Sequence, residues 1–115
     1  MKEHRIHERV DYNFEIECRS YFNASGDQVF LEKPIYFKVL NLSVGGLLAT
    51  SQMKIDEDVL IHYTFYLEDF PYIVMSRMRW VEEIVDGYVY GLEFVTISNM
   101  LHRHLHDYIN RDAIK

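Results

Sequence analysis

Apolar and polar residues alternate along most of this chain, and this alternation strongly constrains the fold. A period of two places apolar side chains on one face of a strand and polar side chains on the other. Turn-forming residues such as Asn23–Asp27 and Asp86–Gly87 separate the alternating stretches. The pattern therefore predicts about six short strands, at residues 12–18, 35–39, 47–50, 59–67, 72–83 and 88–95.

Only the C-terminal segment, residues 98–111, has the periodicity of a helix. Ser98 is a suitable N-cap, and Leu101, Leu105, Tyr108 and Ile109 recur at spacings that fall on one helical face. Several short strands followed by one amphipathic helix are typical of a small barrel. We therefore predict an all-β fold, a small six-stranded antiparallel β-barrel with a C-terminal α-helix packed on it. The length of 115 residues suits a single domain spanning 1–115.

Charge and cysteine content exclude several classes of protein. The formal net charge of −6 argues against binding to nucleic acid polymers or to anionic lipid, both of which select basic surfaces. A single cysteine, Cys18, permits no intramolecular disulfide and suits a reducing compartment. No apolar run resembles a signal peptide or a spanning helix, so the expected location is the cytoplasm, without membrane insertion.

Two arginines, Arg5 and Arg9, precede the first predicted strand with three residues between them. Guanidinium groups grip phosphate oxygens bidentately and recognise the O6/N7 edge of guanine. Taken alone, the pair is more typical of a solvated charged tail.

A second motif, Asn-Leu-Ser-Val-Gly-Gly, occupies residues 41–46 between two predicted strands. Asn41 and Ser43 are able to hydrogen-bond local backbone, and Gly46 permits a ligand or another strand to approach closely. Alone, this segment is typical of an ordinary tight turn.

Together, in this order and on this strand pattern, the two motifs resemble those of the PilZ domain family. Arg5 and Arg9 match the family's Arg-x-x-x-Arg motif, and Asn41, Ser43 and Gly46 match its Asp/Asn-x-Ser-x-x-Gly motif. The resemblance extends over nearly the whole chain. Further matching features are Val10, residues 46–48, Arg79–Trp80, residues 90–94 and the terminal helix.

This resemblance implies a six-stranded barrel and a bacterial receptor for cyclic di-GMP. It implies that residues 1–10 form a flexible arginine-bearing loop that closes over the ligand. Arg5 and Arg9 would contact phosphates and a guanine edge, and Asn41 and Ser43 would hydrogen-bond a guanine. Gly46 would hold the turn and leave space for the ring. Asn41 stands where Asp is commoner, and its amide accepts a hydrogen bond without charge assistance.

Other candidate residues favour structural roles. His102 and His106 have a metal-binding spacing but lack a recognisable third ligand, so we expect no metal site. Trp80 shares the pattern of Val74 and Met78 and is expected in the core rather than as a stacking surface. Contributions to the ligand site from four residues remain open: His4, His7, Arg77 and Arg79.

The leading hypothesis is a non-catalytic cyclic di-GMP receptor that needs no cofactor. Binding orders the arginine segment and changes the surface presented to a downstream protein partner, which the sequence does not identify. The alternative is a PilZ-type adaptor that contacts proteins without binding nucleotide. An enzyme such as a small nucleotide hydrolase is disfavoured, because no metal-ligand cluster, acid/base pair or nucleophile motif is evident.

Overall fold

The computed structural model describes residues 9–114, and the side chains of residues 9–111. Six strands and one helix follow in the predicted order, and the predicted barrel with a C-terminal helix is confirmed. The elements are β1 (Val10–Phe22), β2 (Gln28–Leu42), β3 (Gly46–Ser51), β4 (Leu60–Leu67), β5 (Phe70–Ile84), β6 (Gly87–Thr96) and α1 (Asn99–Ile114).

The strands form a closed antiparallel barrel with the spatial order β1-β2-β3-β6-β5-β4. Closure between β1 and β4 involves two residue pairs, Tyr21 with Ile61 and Phe22 with Leu60. Toward the other end of these strands, aromatic rings fill the space between them. Phe14 of β1 packs edge-on against Phe65 of β4, with ring centroids 5.3 Å apart.

The alternation predicted from the sequence produces the core directly. In β4, Ile61, Tyr63, Phe65 and Leu67 are buried while the residues between them face outward. A central aromatic, Tyr90, packs edge-on against Phe37. Its hydroxyl donates a hydrogen bond to the Met53 carbonyl (2.7 Å) and accepts one from the Ile55 amide (2.7 Å). This side chain therefore ties the connection before β4 to the core.

Strand β2 is longer than the sequence indicated and contains an interruption at Pro34. Ser20 pairs with Phe30 and Cys18 with Ile35, so four residues of β2 lie opposite a single residue of β1. Proline has no amide hydrogen to donate to a neighbouring strand. It therefore falls where the ladder is broken, inside the long strand.

Helix α1 begins as the sequence predicted, one residue after Ser98. The Ser98 hydroxyl accepts a hydrogen bond from the Leu101 amide at 3.0 Å, which is N-cap geometry. Leu101, Leu105 and Ile109 are buried against the barrel. In addition, the Tyr108 ring meets the Tyr12 ring edge-on at 5.5 Å, which joins the helix to the start of β1.

The β4–β5 turn holds α1 through one carboxylate. Oε1 of Glu68 accepts hydrogen bonds from Nη2 of Arg111 (2.7 Å) and Nε2 of His104 (3.0 Å), while Oε2 accepts from Nη1 of Arg111 (3.2 Å). Glu68 and Asp69 both have positive φ, of 52° and 69°. Residues other than glycine adopt this conformation at a cost, so the helix contacts help to hold the turn.

We expect Glu68→Gln to lower the free energy of unfolding at neutral pH by about 1 kcal/mol, because the ion pairs are partly exposed. Hydrogen bonds from Arg111 and His104 lower the pKa of Glu68 from its usual 4.5 to about 2. The stabilisation is therefore complete above pH 4.5 and is lost as the pH falls toward 2.

Chemical denaturation from pH 7 to pH 2 measures this effect. The difference between wild type and Glu68→Gln should shrink as the solution becomes acidic. Asp69→Asn neutralises the adjacent carboxylate, which forms no ion pair within residues 9–111, and it serves as the control. An equal loss in both variants would show that the negative charge of the turn in general, rather than this contact, stabilises the helix.

Candidate functional site

One row of residues crosses five strands on the outer surface of the barrel. The register pairs Asp11 with Asn41, Asn41 with Leu48, Leu48 with Gly91, and Gly91 with Trp80. Directly paired residues point to the same side of a sheet. We call these five residues the outer row.

The neighbouring row faces inward and fixes the register of the outer row. Its five members are all buried apolar residues on the same five strands, namely Val10, Leu42, Leu47, Leu92 and Met78. A slip of one residue in any strand would expose part of this set and bury part of the outer row. Core packing therefore fixes the order in which the outer residues are presented.

The two sequence motifs meet at one end of the outer row. Nη1 of Arg9 donates a hydrogen bond to Oδ1 of Asn41 at 2.9 Å, across 32 residues of sequence. Both side chains are half-buried. A guanidinium carries five N–H donors in a planar fork, so Arg9 brings a concentrated donor group to this end of the outer row. Arg5, His4 and His7, which the sequence also raised, lie outside the described residues.

The turn between β2 and β3 is held by its own hydrogen bonds. The Ser43 hydroxyl accepts from the Gly45 amide at 3.1 Å, and the Ser43 amide donates to the Gly46 carbonyl at 2.9 Å. Ser43 is only 3% exposed. Its hydroxyl still has a proton to donate, but its main visible role is to shape the turn beside Asn41.

Gly46 permits a close approach of strands β3 and β6. A Cβ atom at this position would lie 2.0 Å from the Leu92 carbonyl oxygen, which is backbone. The family motif implies that Gly46 leaves space for a ligand ring. In the structure the close contact is with β6, and this packing alone explains why glycine is required here.

Trp80 faces outward, contrary to the prediction that it belongs to the core. It is 41% exposed, whereas Met78, two residues earlier, is fully buried. The β5–β6 register shifts between these two residues, and the extra residue is Arg79. A bulge of this kind changes which face the following residues occupy. Period-two counting through Arg79 therefore assigned the indole to the wrong side.

The indole of Trp80 lies across Gly91. A Cβ atom at Gly91 would come within 2.2 Å of Trp80 Nε1 and 2.4 Å of Cε2. The missing side chain thus allows the ring to lie against the backbone of β6. The resulting aromatic surface is one that sequence reasoning missed, although Gly91 opposite a tryptophan is a signal that could have indicated it.

Charged residues border the outer row on β5 and β6. Nε of Arg79 lies 3.4 Å from Oε1 of Glu93, and both side chains are about half exposed. Arg77 is directly paired with Glu93. Both arginines therefore lie beside an acidic side chain. Glu93 is also paired with Gly46 of β3, so these residues border the outer row from β5 to β3.

A shallow groove of about 540 Å³ adjoins the outer row without including Arg9 or Asn41. Lys38, Thr50, Tyr36 and Ile84 are among the residues that line it. Lys38 pairs with Thr50, which places both in the next outward row after Asn41 and Leu48. The region around the two motifs is therefore an open face next to a groove, suited to a ligand that lies on the barrel.

Within the described residues, the single cysteine and the paired histidines form neither an activated nucleophile nor a metal site. Burial raises the pKa of the Cys18 thiol to about 11, so it is not an activated nucleophile. The rings of His102 and His106 lie 4.6 Å apart on α1. Within the described part of the chain, no group of three or more histidine, cysteine or acidic residues is placed to hold a metal ion.

Comparisons with known proteins agree with this fold. A family model described as the PilZ domain matches residues 2–111. A search of curated protein sequences found no match. Among residues 9–114, no helix is long and apolar enough to cross a membrane.

Three solved structures share the architecture at low sequence identity. The Bacillus subtilis inhibitor of motility MotI/DgrA aligns with a TM-score of 0.76 and 15% identity, over 99% of this chain and 54% of that one. The PilZ domain of Escherichia coli YcgR with c-di-GMP aligns with a TM-score of 0.64 and 15% identity, over 96% and 95% of the two chains. YcgR in complex with c-di-GMP gives 0.58 and 16%, over 95% and 47%. This chain therefore spans about half the length of the MotI/DgrA chain.

Proposed function

The chain belongs to the PilZ domain family, and from this premise we propose that it is a non-catalytic receptor for cyclic di-GMP. The observation that best supports the proposal is the hydrogen bond between Arg9 and Asn41. It joins the two motifs at the end of the outer row, where a planar donor group and an amide stand side by side. The E. coli YcgR structures contain this nucleotide on the same fold.

Arg9 supplies the principal recognition of anionic and guanine groups in this proposal. Its planar guanidinium matches the paired oxygens of a phosphate and the O6/N7 edge of guanine. The bond to Asn41 fixes the orientation of that plane before ligand arrives, which reduces the entropy lost on binding. Arg5 is the other arginine of the family motif. In this proposal it acts with Arg9, and the two side chains neutralise the two phosphates.

Asn41, Ser43 and Gly46 form the other half of the proposed site. The Asn41 amide contacts the base beside Arg9, and Ser43 donates its hydroxyl proton while it keeps the turn in shape. Gly46 allows β3 to lie close to β6, so that Leu48 and Gly91 continue the outer surface that begins at Asn41.

Trp80 extends the site to a second purine. Its exposed ring lies in the same row as Asn41, separated from it by Leu48 and Gly91. An exposed aromatic face in this row suits the second base of a dinucleotide, and stacking on it contributes about 1–3 kcal/mol.

Signal output in this proposal passes to a partner protein. Ligand closes the N-terminal arginine segment against the barrel and thereby changes the surface that a partner contacts. Tyr12 follows this segment and contacts Tyr108 of α1, so the conformational change also reaches the helix. The buried free thiol of Cys18 fits a cytoplasmic location.

Titration of the purified chain with cyclic di-GMP tests the proposal, with cyclic di-AMP as the control nucleotide. Trp80 is the single tryptophan, so its fluorescence reports on the site without interference from other indoles. We expect saturable heat, a change in Trp80 fluorescence and thermal stabilisation with the guanine nucleotide alone. A folded, nucleotide-free protein that gives none of these signals would contradict the receptor function and favour the adaptor.

A further inference from the structure

The outer row contains a carboxylate, Asp11, for which neither motif accounts. Asp11 is the residue directly opposite Asn41, and it is exposed. Side chains of directly opposite residues have Cβ atoms about 4.5–5.5 Å apart. The salt bridges formed within residues 9–111 do not include Asp11.

The site otherwise has few hydrogen-bond acceptors. Arg9 carries donors alone, and the Asn41 side-chain oxygen already accepts one of them. Ser43 is buried, and its hydroxyl oxygen accepts from Gly45. The Glu93 carboxylate, which borders the outer row on β6, is paired with Arg79. A guanine base, in contrast, presents two donors side by side, N1–H and the 2-amino group.

We infer that Asp11 determines the specificity of the site for guanine, by accepting hydrogen bonds from N1–H and the 2-amino group of the bound base. This inference rests on the proposed cyclic di-GMP function. The two carboxylate oxygens match two parallel donors, and such charge-assisted hydrogen bonds are roughly twice as strong as neutral ones. Asp11 thus supplies, from the neighbouring strand, the negative charge that Asn41 lacks.

The same geometry rejects adenine. Adenine has an acceptor at N1 where guanine has a donor, so a carboxylate facing that edge meets a lone pair. Repulsion against the wrong ligand adds to the attraction for the right one. Arg9 stands two residues from Asp11, and its positive charge offsets the repulsion between the carboxylate and the nucleotide phosphates.

Calorimetry with three nucleotides tests this role: cyclic di-GMP, cyclic di-AMP and the inosine analogue cyclic di-IMP, which lacks only the 2-amino groups. We expect wild type to bind cyclic di-GMP about tenfold more tightly than cyclic di-IMP. Asp11→Asn keeps the shape of the side chain without its charge, and should weaken cyclic di-GMP about tenfold. In Asp11→Ala, the preference for cyclic di-GMP over cyclic di-IMP should largely disappear.

Glu15→Gln is the matched control, because Glu15 also faces outward on β1 but pairs with Lys38 rather than Asn41. It should bind all three nucleotides like wild type. If Asp11→Ala keeps both the affinity and the preference, Asp11 has no role while the receptor function stands. Tighter binding by Asp11→Asn would likewise overturn the inference. A wild-type protein that binds no cyclic di-GMP would contradict the proposed function itself.

Discussion

Replacing Arg9 by alanine is expected to weaken cyclic di-GMP binding between tenfold and a hundredfold or more. A bidentate contact between arginine and guanine contributes about 1–3 kcal/mol of base discrimination, and contacts to phosphate add to it. The variant also loses the hydrogen bond that holds Asn41. Because Arg9 precedes β1 and is half-buried, the barrel itself should lose no more than about 1 kcal/mol of stability.

Two further variants separate charge from geometry in this experiment. Arg9→Lys retains the positive charge but not the planar fork, so its affinity should lie between those of wild type and Arg9→Ala. Arg19→Ala removes an exposed arginine elsewhere on β1, where it pairs with Glu17, and should bind like wild type. Equal losses in Arg9→Ala and Arg19→Ala would show that binding depends on overall charge rather than on the Arg9–Asn41 pair.

The barrel could be predicted from the sequence because apolar and polar residues alternate along most of its strands. In β4, every second residue from Ile61 to Leu67 is buried, as the printed sequence suggests. The helix could also be predicted, because its N-cap at Ser98 and the helical spacing of its buried residues are visible in the local sequence. The residues of the two motifs were found through a resemblance. Their meeting through Arg9 and Asn41 then follows from the pairing of β1 with β2.

What sequence reasoning missed depends on irregular pairing and on contacts distant in sequence. One bulged residue, Arg79, reverses the face on which Trp80 lies. The predicted Asp86–Gly87 turn is centred one residue earlier, at Val85–Asp86, with Ile84 paired to Gly87. Glu68 binds His104 and Arg111, which lie 36 and 43 positions away from it in the sequence. Neither alternation nor turn propensity carries information about such pairs.

Gly46→Ala is expected to destabilise the barrel by about 3 kcal/mol, which corresponds to a fall in Tm of roughly 10 °C or more. The added methyl group would lie 2.0 Å from the Leu92 carbonyl oxygen and 3.2 Å from the Glu93 Cα, and all of these atoms are backbone. No side-chain rotation relieves the contact, so β3 and β6 must separate where Gly46 pairs with Glu93.

Gly26→Ala is the matched control for this variant. Gly26 has a positive φ of 88°, but a Cβ atom there would have nothing within 4 Å. Its replacement should cost about 1 kcal/mol through backbone strain alone. Thermal denaturation of both variants therefore compares a steric cost with a conformational one, at positions of the same residue type.

Nucleotide titration of Gly46→Ala, at a temperature where it remains folded, separates the two roles of this glycine. If Gly46 acts through strand packing, the loss of binding and the loss of stability should both follow from the displaced β3–β6 pairing. Trp80 fluorescence of the free variant should then differ from wild type, since Gly91 and the indole shift with β6. A variant as stable as wild type that no longer binds cyclic di-GMP would instead assign Gly46 the space-keeping role that its motif implies.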